Sequence, residues 1–248
     1  GGKPFCALDY PLRCVELNAL SNGAENFYTQ EGWYNFQNPV FRESWMEFAR
    51  AISKGHIVVS DLYSNTMVMT GEVISGIGSS ASILYYNDVV TYPDNTTEPM
   101  NLQVLPLPRT EGKDLLSTLA GVGLCAYKTT EQKAEAADVF ARYITEEERN
   151  LAFVASTGYM PVNKGSFDRI KDHVFESDAY RNLYTTLLEV NETAVTVREP
   201  AFAGYYPKVY ALYDGLRQLQ PNLAERYAKG EDAEKLAAET WEWFRSIE

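Results

Sequence analysis

The stretch Phe153-Val-Ala-Ser-Thr-Gly-Tyr-Met-Pro-Val-Asn-Lys164 follows two acidic helix starts and reads as a corner made for binding, not for reaction. Gly158 frees the backbone and Pro161 stiffens it, so Tyr159 is displayed at the turn. Just before it, Thr145-Glu-Glu-Glu148 has the form of a capping box, with Thr145 over the first free amides and Glu148 reaching back. Thr129-Thr-Glu-Gln132 opens the preceding helix in a similar way, and Ala134, Ala137, Phe140, Ala141 and Ile144 form its apolar stripe.

Outward from this corner, helix and strand signals alternate. Pro4 to Tyr10 reads as a short buried strand, followed by a helix through Leu12, Val15, Leu17 and Leu20 that breaks at Asn22-Gly23. Asn38 and Pro39 open a helix in which Phe41, Trp45, Phe48 and Ile52 recur at three and four residues, ending at Gly55. A short helix over Asp61 to Thr70 precedes a strand, Glu72 to Ile77, that feeds a helix starting near Ser79. Asn101 to Leu107 and the apolar Leu115 to Tyr127 predict further strands. Helices around Tyr206 to Leu219 and Ala233 to Ile247 close the chain. The alternation predicts an α/β fold.

Composition excludes several function classes. The chain has 248 residues, 45% hydrophobic and 23% charged, with a formal net charge of -12 and a mean hydropathy of -0.30. That acidity argues against nucleic-acid and anionic-membrane partners, whose phosphates it repels. The three cysteines, Cys6, Cys14 and Cys125, form neither a disulfide framework nor a metal motif. Only His56 and His173 are available as imidazoles, and no H-E-x-x-H, G-x-S-x-G, Walker or full G-x-G-x-x-G pattern occurs. No catalytic residue, metal or cofactor is therefore expected. No apolar run approaches the roughly 20 residues of a membrane span.

Five segments, taken in order, carry a resemblance. They are Phe36 to Gly55, Gly71-Glu-Val-Ile-Ser-Gly-Ile-Gly-Ser-Ser80, Leu105-Pro-Leu-Pro108, Gly121-Val-Gly-Leu-Cys-Ala-Tyr-Lys128 and the closing helix Ala237 to Phe244. With the Thr157 to Val162 corner, this order resembles the extracellular solute-binding proteins of ABC importers, the family that includes maltose- and glycerol-3-phosphate-binding proteins. The resemblance implies an α/β, type II periplasmic-binding-protein-like fold that lacks its N-terminal portion; the opening Gly1-Gly-Lys-Pro4 carries no signal peptide. It implies that residues 1–110 and 165–248 form the second, C-terminal lobe, and residues 118–163 a segment of the first lobe with the hinge crossings. The implied function is capture of a sugar, oligosaccharide or polyol, phosphorylated or not, by a monomer outside the cytoplasm. A membrane ABC permease is the implied partner, and a lipid anchor is one implied form of attachment.

Candidate ligand contacts follow. Ser75, Gly78 and Ser79 belong to Ser75-Gly-Ile-Gly-Ser-Ser-Ala-Ser82, where glycines admit a ligand to the backbone and a helix start offers amides and hydroxyls. Gly121 lies in a second glycine-lined stretch whose bland reading is close strand packing. Trp33 and Tyr34 follow Gly32 in a polar, non-periodic stretch, which predicts rings free of the core. Tyr10 follows the first strand, Tyr205 and Tyr206 follow Gly204, and Tyr159 stands on the opening corner; the resemblance places all four beside a cleft. The glycerol-phosphate branch carries a late arginine that is missing from Gly204-Tyr205-Tyr206, and Arg198 is displaced from it. Two other readings stay open: a secreted carbohydrate-active enzyme using a spatial pair of carboxylates, and an interaction module whose tyrosine-rich loops form a protein interface.

Overall fold

The computed structural model describes residues 2–247 apart from 26, 30, 31, 122, 128 and 201. Val122 and Lys128, within a segment quoted above, and Gly1 lie outside the described residues.

The organising element is β1 (Cys6–Leu8), buried along its whole length. β2 (Ile57–Val58) and β3 (Ser75–Ile77) pair with it on either side, both parallel. Between them run α1 (Pro11–Ser21), α2 (Pro39–Ser53) and α3 (Ser64–Met69). Pro11 starts α1 where its missing amide costs nothing. Asn38 starts α2 by accepting from the amides of Val40 and Phe41. The buried face of α1 carries Leu12, Val15 and Ala19, but also the carboxylate of Glu16.

After β3 comes a 3-10 turn, Ser80–Tyr85, and then an exposed antiparallel hairpin of β4 (Val89–Thr91) and β5 (Thr97–Pro99). β6 (Leu116–Thr118) pairs in parallel with the later β7 (Val195–Val197). Between these two strands lie α4 (Glu131–Thr145), α5 (Glu147–Ala155), α6 (Lys164–Ile170) and α7 (Asp178–Thr193). The chain ends in α8 (Tyr205–Ala228), which runs through Pro221, and α9 (Ala233–Arg245).

An aromatic core binds α1, α2, α8 and α9 together. Trp45 stacks on Phe244 with ring centroids 4.2 Å apart, and its indole N–H donates to Thr240 Oγ1 at 3.1 Å. Tyr34 stacks on Phe41 at 4.9 Å. A second core joins Ile83 of the 3-10 turn to Leu151 and Val154 of α5, Ile170, and Leu183 and Tyr184 of α7. Gly158 makes that junction possible, because a side chain there would begin 2.6 Å from the Ser80 carbonyl and from Ile83. The predicted binding corner thus abuts the turn that follows β3.

Several sequence expectations are corrected. Asn101 to Leu107 forms no strand; its backbone is served by side chains of α7, with Asn182 accepting from the Val104 amide and Thr186 donating to the Val104 carbonyl. The apolar run from Leu115 is a strand only over Leu116–Thr118, and Leu119, Leu124 and Tyr127 are exposed. The capping box at Thr145 is absent: the Thr145 hydroxyl bonds back to the Ala141 and Arg142 carbonyls, while Glu148 pairs with Arg169. The amphipathic α4 does form, capped by Thr130 rather than Thr129, yet none of its residues is buried. Its apolar side, including Val139, Phe140 and Tyr143, is open to solvent.

These burial differences set a stability contrast. Phe244→Ala is expected to destabilise by about 3–5 kcal/mol, since it empties a fully buried ring site. Phe140→Ser on α4 should change stability by less than about 0.5 kcal/mol. Urea denaturation of the two variants checks both values.

Candidate functional site

The three parallel strands deliver their carboxyl ends to one edge, with the central strand flanked by connections that leave to opposite sides. In α/β sheets such a point is where a crevice opens. β1 runs out into Asp9 and Tyr10, β2 into the loop ending at Tyr63 and Ser64, and β3 into Gly78 and Ser79. Asp9 ties the three together. Its amide donates to the Ile77 carbonyl at 3.0 Å, and its carboxylate accepts from the Ser64 amide at 2.6 Å and the Ser64 hydroxyl at 3.1 Å. Gly78 leaves room for this pair, since a side chain there would begin 2.5 Å from Asp9 Oδ2 and 3.2 Å from Ser64 Oγ. Burial lifts the Asp9 pKa above its ordinary value against the lowering effect of the Ser64 hydrogen bonds.

α8 forms the wall of this edge. Gln220 holds it to β2 by accepting from the Val59 amide and donating to the Val59 carbonyl. One turn earlier, Arg217 lies 3.1 Å from Asp61 and 2.5 Å from Asp214. The same helical face carries Tyr210 and Tyr206, stacked with centroids 6.2 Å apart. The Tyr206 hydroxyl donates to Glu199 at 2.8 Å. Glu199 in turn meets the Arg13 guanidinium at 3.0 Å.

Beneath lies Glu16, fully buried in the α1 apolar stripe. Its Oε1 accepts from the hydroxyls of Tyr28 at 2.9 Å, Tyr205 at 3.4 Å and Tyr34. Arg13 approaches Oε2 at 2.6 Å outside hydrogen-bond geometry, so that contact is an ion pair. Burial raises the Glu16 pKa, while Arg13 and the tyrosine hydroxyls oppose the rise. Burial likewise pushes the neighbouring Cys14 thiol up to about 12, which disfavours its thiolate.

The result is a ledge of four exposed rings, Tyr10 at 49%, Tyr63 at 69%, Tyr206 at 50% and Tyr210 at 62%. The charges of Asp9, Tyr63, Glu199 and Tyr210 all act on the Tyr10 hydroxyl, after burial the main causes of its raised pKa. A concavity of about 510 Å³ lies elsewhere, along the single helix α4 between Gln132 and Tyr143. It is an uncovered helix side without converging polar groups, and the ledge is the better site on chemistry.

The predicted contacts divide accordingly. Tyr10, Gly78, Ser79 and Tyr206 are brought to the ledge or its corner. Tyr205 stands behind it, buried. Tyr159 sits at the neighbouring junction, its ring stacked on Phe153 at 6.4 Å and its carbonyl accepting from Tyr184 at 2.8 Å. Ser75 faces the other end of β3, its hydroxyl donating to the Phe5 carbonyl at 3.0 Å. Ser79 caps only a six-residue 3-10 turn, accepting from the Ala81 amide, where a helix was expected. Gly121 is exposed and has no heavy atom within 4 Å of where a side chain would begin. The expectation that Trp33 and Tyr34 stand free of the core is overturned: both are buried, with Trp33 against Phe244 and Tyr34 against Phe41. The loop carrying them folds back through a Tyr28–Tyr34 bridge, and its packing on Phe41 and Phe244 is a contact that a polar sequence does not announce.

Sequence reading missed Asp9, Arg13, Glu16, Tyr63, Glu199 and Tyr210. One signal was present: Glu16 occupies a core position of a stripe that also holds Leu12, Val15 and Ala19, and a charge there demands buried partners.

Comparison with known proteins decides the family. The model of the bacterial extracellular solute-binding protein family matches residues 15–181. The chain belongs to that family. No match was found among curated protein sequences. Among solved structures, UgpB from Mycobacterium tuberculosis in complex with glycerophosphocholine is similar at a TM-score of 0.56 and 16% identity, over 100% of this chain and 58% of that one. Maltose-bound T. maritima MalE3 gives 0.60 at 15% identity, over 98% and 61%. The maltotriose-bound maltose/maltodextrin-binding domain MalE of Bdellovibrio bacteriovorus gives 0.56 at 19%, over 98% and 59%. The fold is therefore that of periplasmic-binding-protein-like proteins, and this chain spans about three fifths of their length. The family and these structures are binding proteins. Among the described residues no helix is long and apolar enough to cross a membrane.

Two substitutions test how the site is held. Gly78→Ala should cost about 1–3 kcal/mol by pushing Asp9 off Ser64. Glu16→Ala should cost about 3–5 kcal/mol, because it leaves the part-buried Arg13 with Glu199 alone and takes the shared acceptor from three tyrosine hydroxyls. Thermal and urea unfolding read both, and a neutral Glu16→Ala would mean that the buried network contributes nothing.

Proposed function

We propose that this chain forms the ligand-holding part of an extracytoplasmic substrate-binding protein of an ABC importer, taking a sugar, oligosaccharide or polyol on the tyrosine ledge. The observation that carries this reading is the gathering of four exposed tyrosine rings around hydrogen-bonded carboxylates at the carboxyl ends of a parallel sheet. A sugar presents an apolar C–H face and a rim of hydroxyls. Flat rings cover the first, and carboxylates, serine hydroxyls and tyrosine hydroxyls satisfy the second. Capture without turnover is the chemistry such a surface supplies.

In this reading residues 1–110 and 165–248 are the second lobe, and residues 118–163 a piece of the first with the hinge crossings. Support comes from α4, which buries nothing and leaves Val139, Phe140 and Tyr143 uncovered, and from the further length of the similar structures. α5, at the other end of the 118–163 segment, shares its core with Ile170 and Leu183, and in this reading that packing would join the lobes. Closure of the lobes would trap the ligand and present one shape to a membrane permease. Action as a monomer, free or on a lipid anchor, goes with this reading.

In the full-length protein, Tyr206→Ala and Tyr210→Ala should each weaken sugar binding by roughly two- to tenfold, with the unfolding midpoint unchanged. Tryptophan fluorescence titration over a panel of sugars and polyols reads the affinity. Wild-type affinity in both variants would place the site away from the ledge, and release of reducing ends during titration would replace capture by hydrolysis. Trp33→Ala, by contrast, should lower stability, as expected of a core ring.

A further inference from the structure

We infer that the ledge selects by charge and takes an amine-bearing, cationic sugar or polyol in preference to a phosphorylated one, an inference that rests on the ledge being the sugar site. Seven charged side chains on the elements that bear the ledge form two ion-pair groups and one serine-bound acid. Arg13 is bracketed by Glu16 at 2.6 Å and Glu199 at 3.0 Å. Arg217 is bracketed by Asp61 at 3.1 Å and Asp214 at 2.5 Å. Asp9, the fifth carboxylate, holds Ser64 and no cation. Five carboxylates thus meet two guanidiniums, and each guanidinium is already turned onto two of them. Arg198 is the exposed sequence neighbour of Glu199; counting it leaves the ledge negative. Lys208, two residues beyond Tyr206, is directed instead over the Trp33 ring, 5.1 Å from its centroid.

Beside these charges lie the exposed rings of Tyr10, Tyr63, Tyr206 and Tyr210. The negative face of an aromatic ring attracts a cation, and neighbouring carboxylates add to that attraction. An ammonium group among these rings therefore meets two favourable fields at once. A phosphate in the same place meets both as repulsion, and the guanidiniums that could grip it are already ion-paired with Glu16, Glu199, Asp61 and Asp214.

Calorimetric titration of the full-length protein with glucosamine, glucose and glucose 6-phosphate tests it. Glucosamine should bind roughly three- to tenfold tighter than glucose, and glucose 6-phosphate more weakly than either. The spread should narrow at high salt and in Glu199→Gln, while Tyr210→Ala weakens all three. Glucose binding as tightly as glucosamine, with both weakened by Tyr210→Ala, would overturn the charge preference and leave the sugar site standing. Glucose 6-phosphate binding tightest would overturn it also. Indifference of all three sugars to Tyr210→Ala, or no binding of any of them, would remove the sugar site and this inference together.

Discussion

Much of the molecule is organised around one buried carboxylate. Glu16 lies on the apolar stripe of α1 and receives hydroxyls from Tyr28 and Tyr34 of a loop and from Tyr205 at the start of α8. An ionised group without water is costly, and that cost is offset only if the Arg13 pair and the hydroxyls are all in place. The demand pulls three distant parts of the chain to one point. It fixes the turn that seats Trp33 and Tyr34 in the aromatic core, and it fixes the start of the helix that bears Tyr206 and Tyr210. Arg13 then carries the constraint to the surface through Glu199. The ledge is thus preorganised from below, which lowers the ordering cost of holding a ligand.

The same arrangement is what supports the proposal that the ledge binds a ligand. Its acids are engaged by serine, tyrosine or arginine partners, and the buried Cys14 thiol is held protonated by its surroundings. What the surface offers outward is ring faces, hydroxyls and a negative field. These are instruments of recognition, and their rigidity comes from helices pinned to the ends of a parallel sheet.

Elements built from neighbouring residues were legible. The Asn38-Pro39 helix start, the stripe of Phe41, Trp45, Phe48 and Ile52, and the closing helices were read from spacing and capping, because those signals act within a few residues. The Gly158 corner was legible as a corner, though its glycine is required by the carbonyl of Ser80, far away in sequence. Errors came where partners are remote. Asn101 to Leu107 looked like a strand, yet α7 side chains take its backbone bonds. Trp33 and Tyr34 looked free because nothing local told that a loop would fold onto α2 and α9.

The amino-acid sequence by itself determined the alternation of helix and strand, the absence of catalytic motifs and the family, all properties of local pattern and order. Tertiary structure alone decided which tyrosines are core and which form the ledge, since the same residue type at positions 34, 205, 206 and 210 differs only in what packs against it. It also decided how charge is distributed, because Arg13 and Arg217 are each shared between two acids across α1, α8 and the connecting loops. Burial and electrostatics are sums over neighbours in space, and most of those neighbours are far apart along the chain.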